Sequence, residues 1–181
     1  MRTTLLRVLA MTSASVAAVL VSTPLALAQV RGLDIHYVPT PPEVVDAMLS
    51  LGRVTATDVV YDLGSGDGRI PIEAARRHGA QGVGIELDPK LVKLARTGAK
   101  QAGVDTQVRF SRADIFKTDL SKATVVTLYL SPTINLRLRD KLRRELTPGS
   151  RIVSHRFDMG DWKPDEERVV GNIHVFLWNI K

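Results

Sequence analysis

The chain has 181 residues, of which 44% are hydrophobic and 5% aromatic, and its formal net charge is +6 at pH 7. This length and composition predict one globular domain around a single core. The chain contains no cysteine, which excludes disulfides, cysteine-ligated metal centres and thiolate nucleophiles within it. The positive charge is too small to indicate nucleic acid as the partner.

The first 28 residues have the pattern of a cleaved export signal. Two arginines give a positive start, an apolar stretch follows over residues 8–21, and an A-x-A cleavage pattern ends at Ala28. The apolar stretch is shorter than the about 20 residues that a membrane-spanning helix needs. We therefore expect a signal peptide over residues 1–28, a mature domain over residues 29–181 and an exported (periplasmic or secreted) protein. The alternative is an N-terminal segment retained as a membrane anchor.

A first helix is predicted over residues 41–51. Apolar residues recur at i, i+3, i+4 and i+7 from Val44, and Gly52 ends the run. Thr40 is a candidate N-cap, and together with Glu43 it would form a capping box.

Strands and helices then alternate along the chain. Strands are predicted at residues 58–63, 82–87, 106–111, 123–130 and 151–156, and helices at residues 69–78, 89–102 and 133–146. The alternation predicts βαβ units with right-handed crossovers and helices on both faces of a parallel sheet. The last two strands, at residues 168–170 and 173–180, flank Gly171-Asn172, a two-residue hairpin signal. The expected fold is therefore an α/β, doubly wound, mostly parallel sheet of seven strands with a C-terminal antiparallel hairpin.

Two of these helices have a buried face that can be predicted from the spacing of small and apolar residues. For the helix at 89–102 the predicted face consists of Leu91, Leu94, Ala95, Gly98 and Ala102. For the helix at 133–146 it consists of Leu138, Leu142 and Leu146.

A glycine-rich loop follows the first predicted strand. In a doubly wound sheet, ligands bind beyond the carboxyl ends of the strands at the switch point. Glycines at alternate positions let the backbone approach a ligand closely, and the G-x-G-x-G spacing differs from the G-x-G-x-x-G of dinucleotide folds. A tight strand-to-helix turn without a ligand is the alternative interpretation. The candidate cofactor-binding residues of this loop are Asp62, Gly64, Ser65, Gly66, Asp67 and Gly68.

Acidic residues also follow the next two strands. Glu86 lies about 20 residues beyond Gly64, where a carboxylate can accept hydrogen bonds from both hydroxyls of a ribose; the alternative is a solvated acid. Asp114 could accept from an adenine amino group while Ile115 covers the ring, or Asp114 could form an Asx-turn. We interpret Asp88 as a cap for the following helix.

These motifs resemble the class I S-adenosylmethionine (AdoMet)-dependent methyltransferases, over nearly the whole expected mature chain. More narrowly, the chain resembles the small mitochondrial protein-lysine methyltransferases that modify the adenine nucleotide translocase and the ATP synthase c-subunit, and their bacterial relatives. The glycine loop and the acid after the second strand mark the broad class. The narrower resemblance is carried by Tyr-Val-Pro-Thr at 37–40, Tyr-Leu-Ser-Pro at 129–132, Arg-Phe at 156–157 and Asp-Trp-Lys-Pro at 161–164.

The resemblance implies AdoMet as the cofactor, with Tyr37 and Thr40 at its methionine end. It also implies that Ser131 and Pro132 lie where the methyl acceptor approaches. The Leu-Ser-Pro turn lacks the Asn/Asp-Pro-Pro-Tyr arrangement that the family associates with adenine-N6 and glutamine acceptors. The export signal departs from the family, whose members have a mitochondrial presequence or a membrane-associated segment.

In-line methyl transfer depends mainly on positioning and desolvation. A lysine acceptor has a pKa of about 10.4 in water and must arrive neutral. A dry channel lowers that pKa without a dedicated base. We therefore name no general base. We also name no metal ligand, because the four histidines, at positions 36, 78, 155 and 174, have no metal-ligand spacing.

The helix at 133–146 carries a cluster of cations. Such a run is usually a solvated helix face, and the alternative is peripheral contact with anionic lipid headgroups. The cations are Arg137, Arg139, Lys141, Arg143 and Arg144.

The leading hypothesis is an AdoMet-dependent protein-lysine N-methyltransferase, whose protein substrate could be a membrane protein. A second hypothesis keeps the cofactor and uses a small molecule, a lipid or RNA as acceptor, with nucleic acid less favoured. A third is a non-catalytic module that binds AdoMet or another nucleoside, because an exported enzyme lacks an evident supply of a cofactor made in the cytoplasm.

Overall fold

The computed structural model describes residues 37–181. The expected signal peptide over residues 1–28 lies outside the described residues. Within residues 37–181, no helix is both long and apolar enough to cross a membrane.

Seven strands form one mixed sheet. They are β1 (Val59–Leu63), β2 (Gln81–Glu86), β3 (Val108–Arg112), β4 (Val125–Leu128), β5 (Arg151–His155), β6 (Glu166–Val170) and β7 (Ile173–Asn179). Their order is β3-β2-β1-β4-β5-β7-β6. Strands β1 to β5 are parallel, and β7 pairs antiparallel with both β5 and β6. The doubly wound sheet with a C-terminal hairpin is thus confirmed, and its switch point lies at β1, between β2 and β4.

Four helices cover the sheet: α1 (Pro42–Leu51), α2 (Arg69–His78), α3 (Pro89–Gln101) and α4 (Pro132–Glu145). Helix α2 has the predicted bounds, and it ends at Gly79 in the left-handed conformation with φ 71°, as expected for a glycine C-cap. Asp88 caps α3 as predicted, because its carboxylate accepts a hydrogen bond from Lys90 N at 2.7 Å.

The start of α1 differs from the prediction. The N-cap residue is Pro41, and no side chain caps this helix, so the capping box of Thr40 and Glu43 is wrong. The hydroxyl of Thr40 instead forms a hydrogen bond with Nδ1 of His155 at 3.2 Å. The Thr40 side chain therefore bonds to a residue 115 positions away, and not to the helix N-terminus as the local pattern predicts.

The buried face of α3 also differs. Its buried residues are Val92, Ala95 and Ala99, whereas Leu94 is 52% exposed. Small alanines face inward because the helix packs tightly: a Cβ on Gly68 would lie 2.8 Å from Ala95 Cβ. For α4 the predicted stripe is confirmed, since Leu138, Leu142 and Leu146 are all buried.

Candidate active site at the carboxyl edge of the sheet

The candidate site residues lie at or just after the carboxyl ends of β1, β2, β3 and β4, apart from Tyr37 and Thr40, which precede α1. Strand β1 pairs with β2 through Leu63 and Ile85, and with β4 through Leu63 and Leu128. The loop after β1 therefore lies beside Glu86 on one side and the turn after β4 on the other. This is the position where a doubly wound sheet binds ligands.

All three glycines of the loop have positive φ: 81° at Gly64, 52° at Gly66 and 80° at Gly68. Each also accepts a close side chain. A Cβ would lie 2.6 Å from Leu130 Cδ2 at Gly64, 2.4 Å from Tyr37 Cε2 at Gly66 and 2.6 Å from Phe110 at Gly68. The glycines are thus required by the backbone conformation and by close packing. The sequence pattern predicted the backbone conformation and the close approach of a ligand, but not the packing of side chains against these glycines.

The carboxylate of Glu86 is turned toward the glycine loop. Its Oε2 accepts a hydrogen bond from Gly66 N at 2.9 Å, and its Oε1 accepts from Leu87 N at 2.7 Å and Asp88 N at 2.9 Å. A carboxylate has about four acceptor positions, so one remains free, on Oε2. Glu86 as it stands can bind one further hydroxyl, and a second hydroxyl would have to replace a backbone donor.

Asp62 is buried at the end of β1 and accepts a hydrogen bond from the hydroxyl of Thr127 at 2.7 Å. The pKa of Asp62 is raised to about 7, chiefly by burial and to a smaller extent by the negative charges of Glu86 and Asp67, while the Thr127 hydrogen bond opposes the rise. Nearby Ser65 Oγ is buried without a hydrogen-bond partner. The base of the loop therefore holds one carboxyl group that a positive charge would ionise and one polar atom without a partner.

Asp67 and Arg69 connect the loop to the segment before α1, residues 37–41, which we call the N-terminal strap. Arg69 donates to Asp67 through Nη2 at 2.7 Å and to the carbonyl of Thr40 through Nη1 at 2.8 Å. Burial alone would raise the pKa of Asp67, but the hydrogen bonds and charge of Arg69 hold it below its usual value. The ring of Tyr37 packs against Gly66 of the loop. Burial, and to a smaller extent the charge of Asp67, raises the pKa of the Tyr37 phenol. The strap therefore lies against the glycine loop.

Asp114 lies after β3 and forms an Asx-turn, which was the alternative to a role in adenine binding. Its Oδ1 accepts from Phe116 N at 2.9 Å, which is an Asx-turn. Ile115 is buried at 8% exposure in the core beneath the loop. The turn thus uses one of the about four acceptor positions of the Asp114 carboxylate, and the others are available for an adenine amino group.

The turn after β4 begins α4. Ser131 is the N-cap of this helix and accepts from Ile134 N at 3.3 Å, and Pro132 occupies the first turn. The next inward residue, Asn135, is fully buried and donates to Ser154 Oγ at 3.1 Å and to the carbonyl of Phe157 at 3.0 Å. Asn135 thereby fixes the loop after β5, a role that no local sequence signal indicated.

Three aromatic rings lie at the tips of β4 and β5. The ring of Tyr129 stacks on His155 with centroids 3.7 Å apart and lies 6.4 Å from Phe157. His155 is 1% exposed. Burial, together with the smaller effect of the charge of Arg156, lowers the pKa of His155 to about 4, so the ring is neutral at pH 7. Of the three histidines within residues 37–181, His155 is the one that lies at the edge of the site.

The cationic cluster on α4 is less exposed than predicted. Lys141 is buried and pairs with Glu145 at 2.6 Å, which excludes it from a solvated face. Arg139 pairs with Asp161. Arg137 and Arg143 lie over the rings of Phe116 and Trp162 at 4.2 and 4.3 Å. Most of these cations therefore have partners within the domain.

The described part of the chain contains no group of three or more His, Asp or Glu side chains placed to hold a metal ion. Its polar groups suit a cationic nucleoside instead. A carboxylate with a free acceptor position (Glu86), a buried carboxyl near its titration point (Asp62) and an unpartnered hydroxyl (Ser65) surround one glycine loop.

Comparisons with known proteins agree with this arrangement. The family described as "ANTKMT methyltransferase domain" matches residues 62–166. A protein-lysine N-methyltransferase of Saccharolobus islandicus is 41% identical over 151 residues, which is 81% of this chain and 94% of that protein. The adenine nucleotide translocase lysine N-methyltransferase of Mus musculus is 40% identical over 82% of this chain and 64% of its own length. The chain thus spans a little under two thirds of that mouse relative.

Among solved structures, the crystal structure of an RNA methyltransferase from Salinibacter ruber in complex with S-adenosyl-L-homocysteine (AdoHcy) has 58% identity and a TM-score of 0.78. The match covers 79% of this chain and 94% of that one. An AdoMet-dependent methyltransferase of Geobacter sulfurreducens, also with AdoHcy, has 28% identity and a TM-score of 0.55 over 65% of this chain and 49% of its own. The seven-stranded fold, the loop with its facing carboxylate and these matches together show that the chain belongs to the ANTKMT methyltransferase domain family and is an AdoMet-dependent methyltransferase.

Proposed function

We propose that this enzyme is a protein-lysine N-methyltransferase. The observation that carries the proposal is the match to the Saccharolobus islandicus protein-lysine N-methyltransferase over 94% of that protein's length. The turn after β4 supports it, because Leu130-Ser131-Pro132 offers neither the carboxylate nor the carboxamide that the Asn/Asp-Pro-Pro-Tyr arrangement would present to an acceptor.

We place the cofactor on the glycine loop. Glu86 would bind a ribose hydroxyl through its free acceptor position, and Asp62 and Ser65 would face the charged end of the cofactor. Gly64, Gly66 and Gly68 shape the loop, while Asp67 acts through Arg69.

Tyr37 and Thr40 would line the methionine end of the cofactor as part of the strap. Asp114 and Ile115 would line its adenine end. AdoMet supplies a methyl group activated on a sulfonium.

On the acceptor side, the residues of the chain position the amine and exclude water. Ser131 and Pro132 begin α4 at the tip of β4, and the half-buried rings of Tyr129 and Phe157 lie beside them. An apolar, aromatic wall favours a neutral amine over an ammonium in water, because desolvation lowers the pKa of a lysine. The chemistry then requires alignment rather than a base.

RNA is the second candidate acceptor. It is favoured by one observation, the 58% identity to the Salinibacter ruber protein, which is described as an RNA methyltransferase. The charge distribution favours it less, because the cations on α4 are largely engaged: Arg139 and Lys141 form ion pairs, and Arg137 and Arg143 stack on aromatic rings.

The acceptor can be tested by labelling. Purified enzyme is incubated with methyl-labelled AdoMet and cell extract separated into soluble protein, membrane and RNA fractions, and labelled protein is digested to locate the methyl group. We expect label on lysine side chains, and much less of it when Glu86→Ala replaces the wild type at a low concentration of AdoMet. Label in RNA, or in extractable small molecules or lipids, would contradict the lysine proposal while leaving the cofactor site intact.

We further propose that the substrate is a membrane protein and that the enzyme is exported. Relatives named for the ATP synthase c-subunit and the adenine nucleotide translocase support the first point, and the signal pattern over residues 1–28 supports the second. N-terminal sequencing of the protein from separated cell fractions tests export. A chain that begins at Met1 and stays in the cytoplasm would contradict it and would remove the difficulty of cofactor supply.

A further inference from the structure

His155 is the buried polar residue whose role the cofactor site does not explain. It ends β5, it is 1% exposed, and its ring contacts the strap on one side and the acceptor side on the other. Its Nδ1 is hydrogen-bonded to Thr40 Oγ1 at 3.2 Å, while its Nε2 is buried without a partner.

This arrangement is costly for stability. A buried polar atom without a hydrogen bond destabilises a protein, and apolar groups of the same shape would avoid that penalty. A phenyl ring could stack on Tyr129 equally well. A histidine at such a position, beside the proposed acceptor side, indicates a requirement other than folding.

Thr40 connects His155 to the glycine loop. The carbonyl of Thr40 accepts from Arg69, and Arg69 in turn binds Asp67 of the loop. A continuous set of hydrogen bonds and one ring stack therefore runs from the cofactor loop, through the strap, to Tyr129 at the tip of β4. Nothing in the local sequence links these elements.

The backbone after His155 has an unusual conformation that orients the next ring. Arg156 has φ 71°, and Phe157 N donates to the carbonyl of His155 at 2.9 Å, two residues back. Such tight turns at non-glycine residues persist where the surrounding structure holds them and are concentrated at functional sites. Here the turn places the ring of Phe157 6.4 Å from the ring of Tyr129, with the two planes at 20°.

We propose that His155 is a positioning residue for methyl transfer, which, through its hydrogen bond to Thr40 and its stacking on Tyr129, fixes the acceptor-side wall relative to the cofactor loop. The inference rests on the methyltransferase activity and on the proposed acceptor side. It assigns the hydroxyl of Thr40 to His155, so that Thr40 lines the cofactor through its backbone.

The test combines Thr40→Val and His155→Phe in single and double variants. Replacing both polar partners by apolar groups of similar shape should leave the melting temperature unchanged or higher. The rise in melting temperature caused by AdoHcy should also stay as in wild type, whereas kcat should fall about ten- to hundredfold, since small misplacements of reacting groups have effects of that size. The double variant should be no slower than the slower single variant, because the two changes break one interaction.

The matched controls are Thr97→Val on the exposed side of α3 and His174→Phe on β7, where His174 is exposed and stacks on Phe176. Both should turn over at the wild-type rate. Thr40→Ser keeps the hydroxyl and should retain most of the activity. If a His155 variant is too unstable to assay, Thr40→Val and Thr40→Ser test the same bond.

Rates are measured with whichever acceptor the wild type labels, so that a non-lysine acceptor overturns the proposed function and still permits this test. Wild-type kcat in the double variant would overturn the positioning role. A loss of AdoHcy response in proportion to the loss of rate would also overturn it, because the pair would then serve cofactor binding. A wild type that transfers no label at all overturns both proposals.

Discussion

Asp62→Asn tests whether the buried carboxyl at the base of the glycine loop is held near its titration point. Asp62 is 3% exposed and bonded to Thr127, and burial raises its pKa from 3.8 to about 7. Because the folded state holds this proton more tightly than the unfolded state, stability must fall as pH rises between these two values and level off above pH 7. Asparagine has nearly the same shape and does not titrate, so the variant should lack this loss.

The magnitude follows from the shift. A pKa difference of one unit corresponds to about 1.36 kcal/mol, and the part of the shift that develops between about pH 5 and about pH 8 amounts to about 2 to 3 kcal/mol. Asp62→Asn should therefore gain about 2 to 3 kcal/mol relative to wild type between those pH values. Denaturant unfolding at several pH values, without cofactor, measures the difference, and groups common to both proteins cancel.

Asp119→Asn is a control of opposite sign. Asp119 is exposed, and hydrogen bonds from the backbone and side chain of Ser121 lower its pKa, so its removal should give no gain as pH rises. A gap between wild type and Asp62→Asn that stays constant from pH 5 to pH 8 would refute the account of Asp62. The carboxyl would then keep one protonation state throughout this pH range.

Two further predictions concern packing and the loop after β5. Gly84→Ala should destabilise the protein by about 1 to 3 kcal/mol, because the new Cβ would lie 2.4 Å from Phe110 Cδ1; Phe110→Leu in the same chain should recover part of the loss, and full stability of the single variant in thermal unfolding would be inconsistent with this geometry. Asn135→Ala should lower the free energy of unfolding by about 1 to 3 kcal/mol through loss of buried hydrogen bonds. It should also lower kcat while leaving the KM for AdoMet nearly unchanged, because Asn135 holds the loop that carries Phe157. An unchanged kcat would exclude that role.

The fold and the position of the cofactor loop could be predicted because their signals are local. The βαβ alternation, the Gly171-Asn172 turn and the glycine spacing each reflect short-range backbone geometry, and each appears in the sheet as expected. The stripe of α4 was predictable for the same reason, because large leucines at helical spacing leave little choice of face.

Two of the wrong predictions share a different cause, which is competition by partners far along the chain. Thr40 looks like a helix cap until His155 takes its hydroxyl. Leu94 looks like a core residue, but the close approach of α3 favours Ala95 in that place. Lys141 is a different case, because its partner Glu145 lies only four positions further along the same helix, and counting cations overlooked this pair and its burial. The outcomes at Thr40 and Leu94 cannot be inferred from local spacing.

The acceptor-side elements were the hardest to predict. Asn135 belongs to no sequence motif, and Tyr129 was marked only as part of the Tyr-Leu-Ser-Pro run. The roles of both depend on the loop after β5, where Arg156 adopts positive φ. A resemblance to a family indicated the region, through Ser131 and Pro132, and the structure supplied the contacts within it.

The central claim is that Glu86 and the glycine loop bind the nucleoside of AdoMet. Calorimetric titration of AdoHcy into wild type and Glu86→Ala tests it most directly, with Glu167→Ala on β6 as a control carboxylate and thermal unfolding to verify that each variant is folded. Loss of one hydrogen bond to a charged acceptor corresponds to about 1.5 to 3 kcal/mol, so the dissociation constant of Glu86→Ala should rise about ten- to hundredfold, with no change for Glu167→Ala. Equal affinity of folded Glu86→Ala and wild type would contradict the account.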